Sequence, residues 1–165
     1  MKKILIIGGG IAGLECARTL VENNYSEFIL LERNIKIIRR NSWKTFEQTV
    51  KKFDLDDCIA SRVSKIYQRT IDIDSSKVIN HSYKNLNAMI LDSEKIYEKL
   101  LQNVKSHVKT NSEVIKIEED KRGYSIYTKN HRYKADIIID ASCIEYLTEN
   151  LLENKEFDTN AFYMC

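Results

Sequence analysis

The chain has 165 residues and a mass of 19.3 kDa, the size of one ordinary domain with one core. Its 26 basic and 24 acidic residues are interspersed and leave a formal charge of +2, so the sequence marks out no nucleic-acid footprint. Hydrophobic residues make up 43% and charged residues 30%, and the apolar runs are too short and too often broken by charge to cross a bilayer, which predicts a globular cytoplasmic protein without a membrane span.

The opening Lys3-Ile4-Leu5-Ile6-Ile7 is a continuous aliphatic run that stops at three glycines, the pattern of a parallel strand buried on both faces. It lacks the long apolar stretch and cleavage site of a signal peptide. From Ile11 to about Asn23, the apolar residues Ile11, Leu14, Ala17, Leu20 and Val21 recur at helical spacing, and Asn23-Asn24 supplies a stop. Phe28-Ile29-Leu30-Leu31-Glu32 then reads as a second buried strand. Strand, helix and strand in this order make a right-handed βαβ crossover.

Trp43 to Phe53 reads as a short amphipathic helix with Phe46, Val50 and Phe53 inward. Short β-branched segments follow at Arg62 to Gln68, Thr70 to Ile73 and Val78 to Ser82, with a turn at Asp74-Ser75-Ser76. Together, residues 42 to 90 or so read as an inserted helix with antiparallel strands. Asp92 or Ser93 caps a helix that runs to about Val104, with Glu94 in its first turn and Ile96, Tyr97, Leu100 and Leu101 on one side. His107-Val108-Lys109 is a candidate third parallel strand. Val114 to Glu118 and Tyr124 to Thr128 form a hairpin across Lys121-Arg122-Gly123, and a third ribbon strand includes Tyr133. Ala135 to Ala141 repeats the buried-strand signature and is expected beside the first strand. Residues 1 to 145 are thus read as one α/β domain and residues 146 to 165 as a polar tail, expected to be partly disordered.

Gly8, Gly10 and Gly13 satisfy the G-x-G-x-x-G pattern, and each has its own steric task. Gly8 makes the tight turn, Gly10 lets a pyrophosphate approach the backbone and the helix N-terminus, and Gly13 lets the helix press close to the strands. Glu32 ends the next strand nineteen positions beyond Gly13, the expected place for an acid that accepts hydrogen bonds from ribose hydroxyls. A carboxylate there repels a 2′-phosphate, which favours FAD or NAD over NADP. The candidate cofactor-binding residues are Gly8, Gly10, Ile11, Ala12, Gly13, Glu32 and Arg33.

The run ILIIGGGIAGLECARTL followed by FILLE resembles the FAD-binding N-terminus of flavoprotein oxidoreductases and monooxygenases with a glutathione-reductase-type fold, and Ala17 matches the extended pattern. The continuation WKTFEQTVKKFDLDDC, the helix after LDSEKIYEKLL and the closing ADIIIDAS run in the same order as in lycopene cyclases and geranylgeranyl reductases. The resemblance implies a Rossmann-like FAD/NAD(P)-binding domain, a central parallel sheet with an antiparallel β-meander, FAD as cofactor with NAD as the alternative, and oxidoreductase activity on a hydrophobic, isoprenoid-like substrate. Three departures stand against it. The family's Ala-Thr-Gly turn appears as Ala141-Ser142-Cys143, the arginine that relatives place near the start of the helix before the third strand is replaced by Asp92-Ser93, and the later Gly-Asp motif is missing. These departures keep open a non-catalytic module for NAD or an adenine nucleotide, one subunit of a split enzyme, or a remnant without ligand. A sheet lacking its last strand exposes an edge, so a homo-oligomer or a partner subunit that completes the sheet is expected in the truncated cases.

No catalytic residue is assigned. His81, His107 and His131 stand apart from any Cys or Asp pairing pattern, and the tyrosines at 83, 124, 127 and 133 are explained by sheet packing. Cys16, Cys58, Cys143 and Cys165 lie too far apart for metal-binding spacing and read as reduced thiols, with Cys16 a small hydrophobe on the helix packing face.

Overall fold

The computed structural model describes residues 1–37, 42–71 and 78–143. In chain order the elements are β1 (Ile4–Ile7), α1 (Ile11–Glu22), β2 (Phe28–Leu31), β3 (Ser42–Phe46), α2 (Glu47–Lys52), β4 (Ile59–Ile71), β5 (Val78–Asp92), α3 (Ser93–Leu101), β6 (Val108–Lys109), β7 (Val114–Asp120), β8 (Gly123–Thr128), β9 (Arg132–Ala135) and β10 (Ile137–Asp140). The fold is mixed α/β and divides into two compact units, Met1–Ile37 with Tyr97–Cys165, and Ile38–Ile96.

In the first unit a four-stranded parallel sheet has the order β10-β1-β2-β6. The register places Ile4 beside both Phe28 and Ile137, and Ile7 beside both Leu31 and Asp140, so three strands end level at their carboxyl edge. Leu5, Ile7 and Leu31 share one face and pack with Val114, Ile117, Ile126 and Ala135 of the antiparallel meander β7-β8-β9. Ile6 and Leu30 alternate to the opposite face; α1, which lies against β1 and β2, buries Leu14 and Ala17. Each fully buried aliphatic side chain contributes about 1.5–3 kcal/mol relative to exposure, and this double-sided burial explains the unbroken apolar run of β1.

Two expectations for this unit are corrected. Ile137, at the head of β10, is 37% exposed, because among the described residues β10 has β1 on one side and no strand on the other. His107 belongs to a 3-10 turn (Lys105–His107) rather than to a strand; its ring stacks on Phe28 at a centroid distance of 4.2 Å, and Nδ1 lies 3.2 Å from the Phe28 carbonyl oxygen. The hairpin over Lys121-Arg122-Gly123 forms as expected, with Gly123 at φ +126° and a β7–β8 register that closes at Asp120 opposite Gly123.

In the second unit the sheet order is β3-β5-β4, all antiparallel. The predicted helix from Trp43 to Phe53 is half strand: Ser42–Phe46 pairs with Ala88–Asp92, and only Glu47–Lys52 is helical. The aromatic and β-branched residues Trp43 and Thr45 lie half-buried and alternate with exposed Lys44 and Phe46, a period of two that the longer helical window hid. Val50 is fully buried, but Phe46 and Phe53 are exposed, so two of the three side chains expected inward are not. The three short strands expected between residues 62 and 82 merge into two long ones, and β4 and β5 pair from Ile59 opposite Leu91 out to Ile71 opposite Val78. Outer β4 and β5 are exposed, so no apolar alternation marks their length in the sequence. The turn at Asp74-Ser75-Ser76 and the tail from 146 onward lie outside the described residues.

Helix α3 starts as expected, with Asp92 Oδ1 accepting the Glu94 amide at 3.0 Å. Ile96, Tyr97 and Leu100 are buried and Leu101 half-buried; the helix ends there, before the buried Val104. No helix among the described residues is long and apolar enough to cross a membrane.

Candidate functional site

The strand-to-helix turn between β1 and α1 is held by backbone contacts that leave room only for glycine at two positions. The Gly8 amide donates to the Leu31 carbonyl at 2.8 Å, and Gly8 has φ +108°, a conformation that side chains rarely adopt. A Cβ at Gly8 would stand 2.4 Å from the Ala141 carbonyl oxygen and 2.8 Å from the Ser142 Cα. A Cβ at Gly13 would stand 2.0 Å from the Gly8 carbonyl oxygen. Gly10 is different, since a Cβ there meets nothing within 4 Å. Its φ of −72° is ordinary, so the local fold itself does not demand glycine at this position.

Gly10 is the N-cap of α1, and no side chain caps it. The first-turn amides, including those of Ile11, Ala12 and Gly13, have no acceptor within the helix by its geometry, and the first turn carries no acidic residue. The helix therefore presents backbone donors and a positive dipole end beside the open space at Gly10, a combination suited to an anion. Ile11 and Ala12 are half-buried and Gly13 is buried.

Glu32 lies just beyond β2, at the same carboxyl edge of the sheet, and is 4% exposed. Its Oε2 accepts the Gly9 amide at 2.8 Å, which ties the acid directly to the glycine turn. Oε1 accepts both the Asn34 amide at 2.8 Å and the Asn34 side-chain nitrogen at 2.5 Å. The Glu32 backbone is held on both sides as well, with its amide donating to the Lys109 carbonyl at 2.8 Å and its carbonyl accepting the Ser112 amide at 2.9 Å. Arg33 points to the surface and is exposed. The structure thus gathers Gly8, Gly10, Ile11, Ala12, Gly13 and Glu32 at one edge and leaves Arg33 apart from the acid's partners.

Sequence reasoning gave no role to Gly9 or Asn34, and it named the Ala141-Ser142 segment without foreseeing its contact with Gly8. An Asn two residues after a buried acid is a signal that could have drawn notice, because Asn side chains readily bond to nearby groups in turns. Ala141 is drawn against Gly8 by β10 pairing with β1, with the Ala141 amide donating to the Ile7 carbonyl at 2.8 Å. Cys143 takes φ +55° at the position where the resembling family has glycine, so the chain keeps the glycine-like turn with a cysteine in it. Cys143 is exposed, Cys58 is buried and Cys16 is half-buried, and none of the three is in a disulfide; burial pushes the Cys16 thiol above its ordinary pKa.

No curated protein matches the chain. Solved structures resemble it across most of its length. Tetracycline destructase Tet(51) is 19% identical with a TM-score of 0.66 over 94% of this chain and 42% of its own. CtdE, solved in complex with FAD and substrate, is 16% identical with a TM-score of 0.60 over 86% of this chain and 38% of its own. Klebsiella pneumoniae HpxO, solved with FAD and uric acid, is 16% identical with a TM-score of 0.59 over 83% of this chain and 38% of its own. The chain therefore has the fold these proteins share over that span, and it covers about two fifths of their length. The family model described as pyridine nucleotide-disulphide oxidoreductase matches residues 5–144, from the first strand to the turn after the last, and the chain belongs to that family.

Proposed function

We propose that the chain binds FAD through its ADP half and serves as the cofactor-binding part of a flavin-dependent oxidoreductase. The observation that carries the reading is the bond from the Gly9 amide to Glu32 Oε2, which puts a carboxylate suited to ribose beside a helix N-terminus suited to pyrophosphate. The open space at Gly10 supports it, because glycine is retained there without any demand from the fold. CtdE and HpxO, two of the similar structures, were each solved with FAD.

In this reading Ile11, Ala12 and Gly13 direct their amides at the phosphates, Glu32 accepts the adenosine ribose hydroxyls, and exposed Arg33 borders the adenine end. Bound flavin would supply hydride or single-electron transfer, and this chain's residues would hold and orient it. The described residues gather no acid or base for that chemistry. The resemblance to lycopene cyclases and their isoprenoid-like substrate has no support in the structural relatives reported above, so no substrate is included in the proposal.

The test is visible absorbance of the purified chain during FAD titration, with Gly10→Ala and Glu32→Ala as controls. Flavin bands that appear with the wild type and weaken in both variants are the expected result. Binding of NAD or ADP without FAD would replace the proposal with an adenine-nucleotide module.

A further inference from the structure

The acceptor sites of Glu32 are nearly filled from within the chain. An ionised carboxylate offers about four lone-pair sites, two per oxygen. Both sites on Oε1 are taken by Asn34, through its amide and its side-chain nitrogen, and one of the two on Oε2 is taken by Gly9. A ribose held through two hydroxyls requires one site on each oxygen, and Oε1 has none to give. The two backbone donors cannot leave. The Gly9 amide is part of the glycine turn, and the Asn34 backbone is pinned, since its carbonyl accepts the Asn111 amide at 3.0 Å. The Asn34 side chain is on an exposed residue and is free to turn toward water.

We infer that the Asn34 carboxamide competes with a ribose hydroxyl for Glu32 Oε1, so that Asn34 is a positioning residue that holds the acid in place and lowers affinity for the nucleotide. The inference rests on the reading of Glu32 as the ribose acid. Binding then swaps one charge-assisted hydrogen bond for another, and the side chain gives way while the Asn34 amide stays on Oε1.

Calorimetric titration of ADP into the wild type and Asn34→Ala tests this, with 2′,3′-dideoxyadenosine diphosphate as the ligand that lacks both hydroxyls. Asn34→Ala is expected to bind ADP about three- to tenfold tighter, the worth of one net hydrogen bond, and to bind the dideoxy ligand as the wild type does. In the wild type, the Asn34 side-chain amide resonance should move on addition of ADP and stay in place with the dideoxy ligand. Unchanged or weaker ADP binding by the variant overturns the inference alone, as does an equal gain for the dideoxy ligand. Absence of both ADP and FAD binding in either protein overturns it together with the proposed function.

Discussion

Gly13 faces Gly8 so closely that a Cβ on Gly13 would lie 2.0 Å from the Gly8 carbonyl oxygen. The atom in the way is backbone in a turn held by the Leu31 carbonyl, so it cannot step aside as a flexible side chain would. Gly13→Ala is expected to lower stability by about 1–3 kcal/mol, the usual cost of forcing atoms into a packed site, measured as a drop in the urea midpoint.

Gly10 gives the opposite result. With nothing within 4 Å of its Cβ and an ordinary φ, Gly10→Ala should leave stability within about 1 kcal/mol of the wild type. Its effect should appear in FAD or ADP affinity, falling by about tenfold or more as the methyl meets the pyrophosphate. Loss of affinity with intact stability separates a ligand role from a folding role.

Glu32→Ala removes the acceptor for three donors, two of them backbone amides. The Gly9 amide is the buried one of the three, and a buried donor left unsatisfied costs about 1–3 kcal/mol, so this variant should be less stable even without nucleotide. Urea unfolding in nucleotide-free buffer checks it. Stability equal to the wild type would mean that water satisfies the Gly9 and Asn34 amides as well as the carboxylate does.

Cys143 holds φ +55°, where a side chain costs about 1–2 kcal/mol and a β-branched one more. Cys143→Gly is therefore expected to match or exceed the wild type in stability, and Cys143→Val to fall below it by about 1–2 kcal/mol. The order of the three urea midpoints is the readout.

Within the meander, the Tyr127 hydroxyl donates to Glu118 at 2.6 Å and Lys116 lies 2.9 Å from the same carboxylate. Tyr127 first and Lys116 second hold the Glu118 carboxyl below its ordinary value of 4.5. A depressed carboxylate contributes stability above its unfolded pKa and loses it as pH falls through the folded value. The urea midpoints of the wild type and Tyr127→Phe should therefore differ near neutral pH and converge as the pH falls past the ordinary carboxyl value and through the depressed one.

The glycine turn and the acid beside it were legible in the sequence because their signals are short-range. Glycines at 8, 10 and 13, aliphatic runs on either side of an amphipathic helix, and an acid at the end of the next strand all express local sterics and side-chain period. The same reasoning failed at Trp43 to Phe46, where pairing with β5 overrode a helical pattern. In β4 and β5 it found antiparallel strands but not their length, because their outer parts carry no apolar alternation and bury neither face.

By itself, then, the sequence determined the βαβ unit, the glycine turn and the presence of an acid just beyond the second strand, since each depends on residues within a few turns of chain. The tertiary structure alone decided what the acid touches and how tightly the turn is confined. Gly9 reaches Glu32 across the sheet edge, Asn111 fixes Asn34, and Ala141 closes on Gly8 only because β10 returns beside β1. Those contacts join residues far apart along the chain, and the parallel register that aligns the strand ends brings them together, which no local pattern encodes.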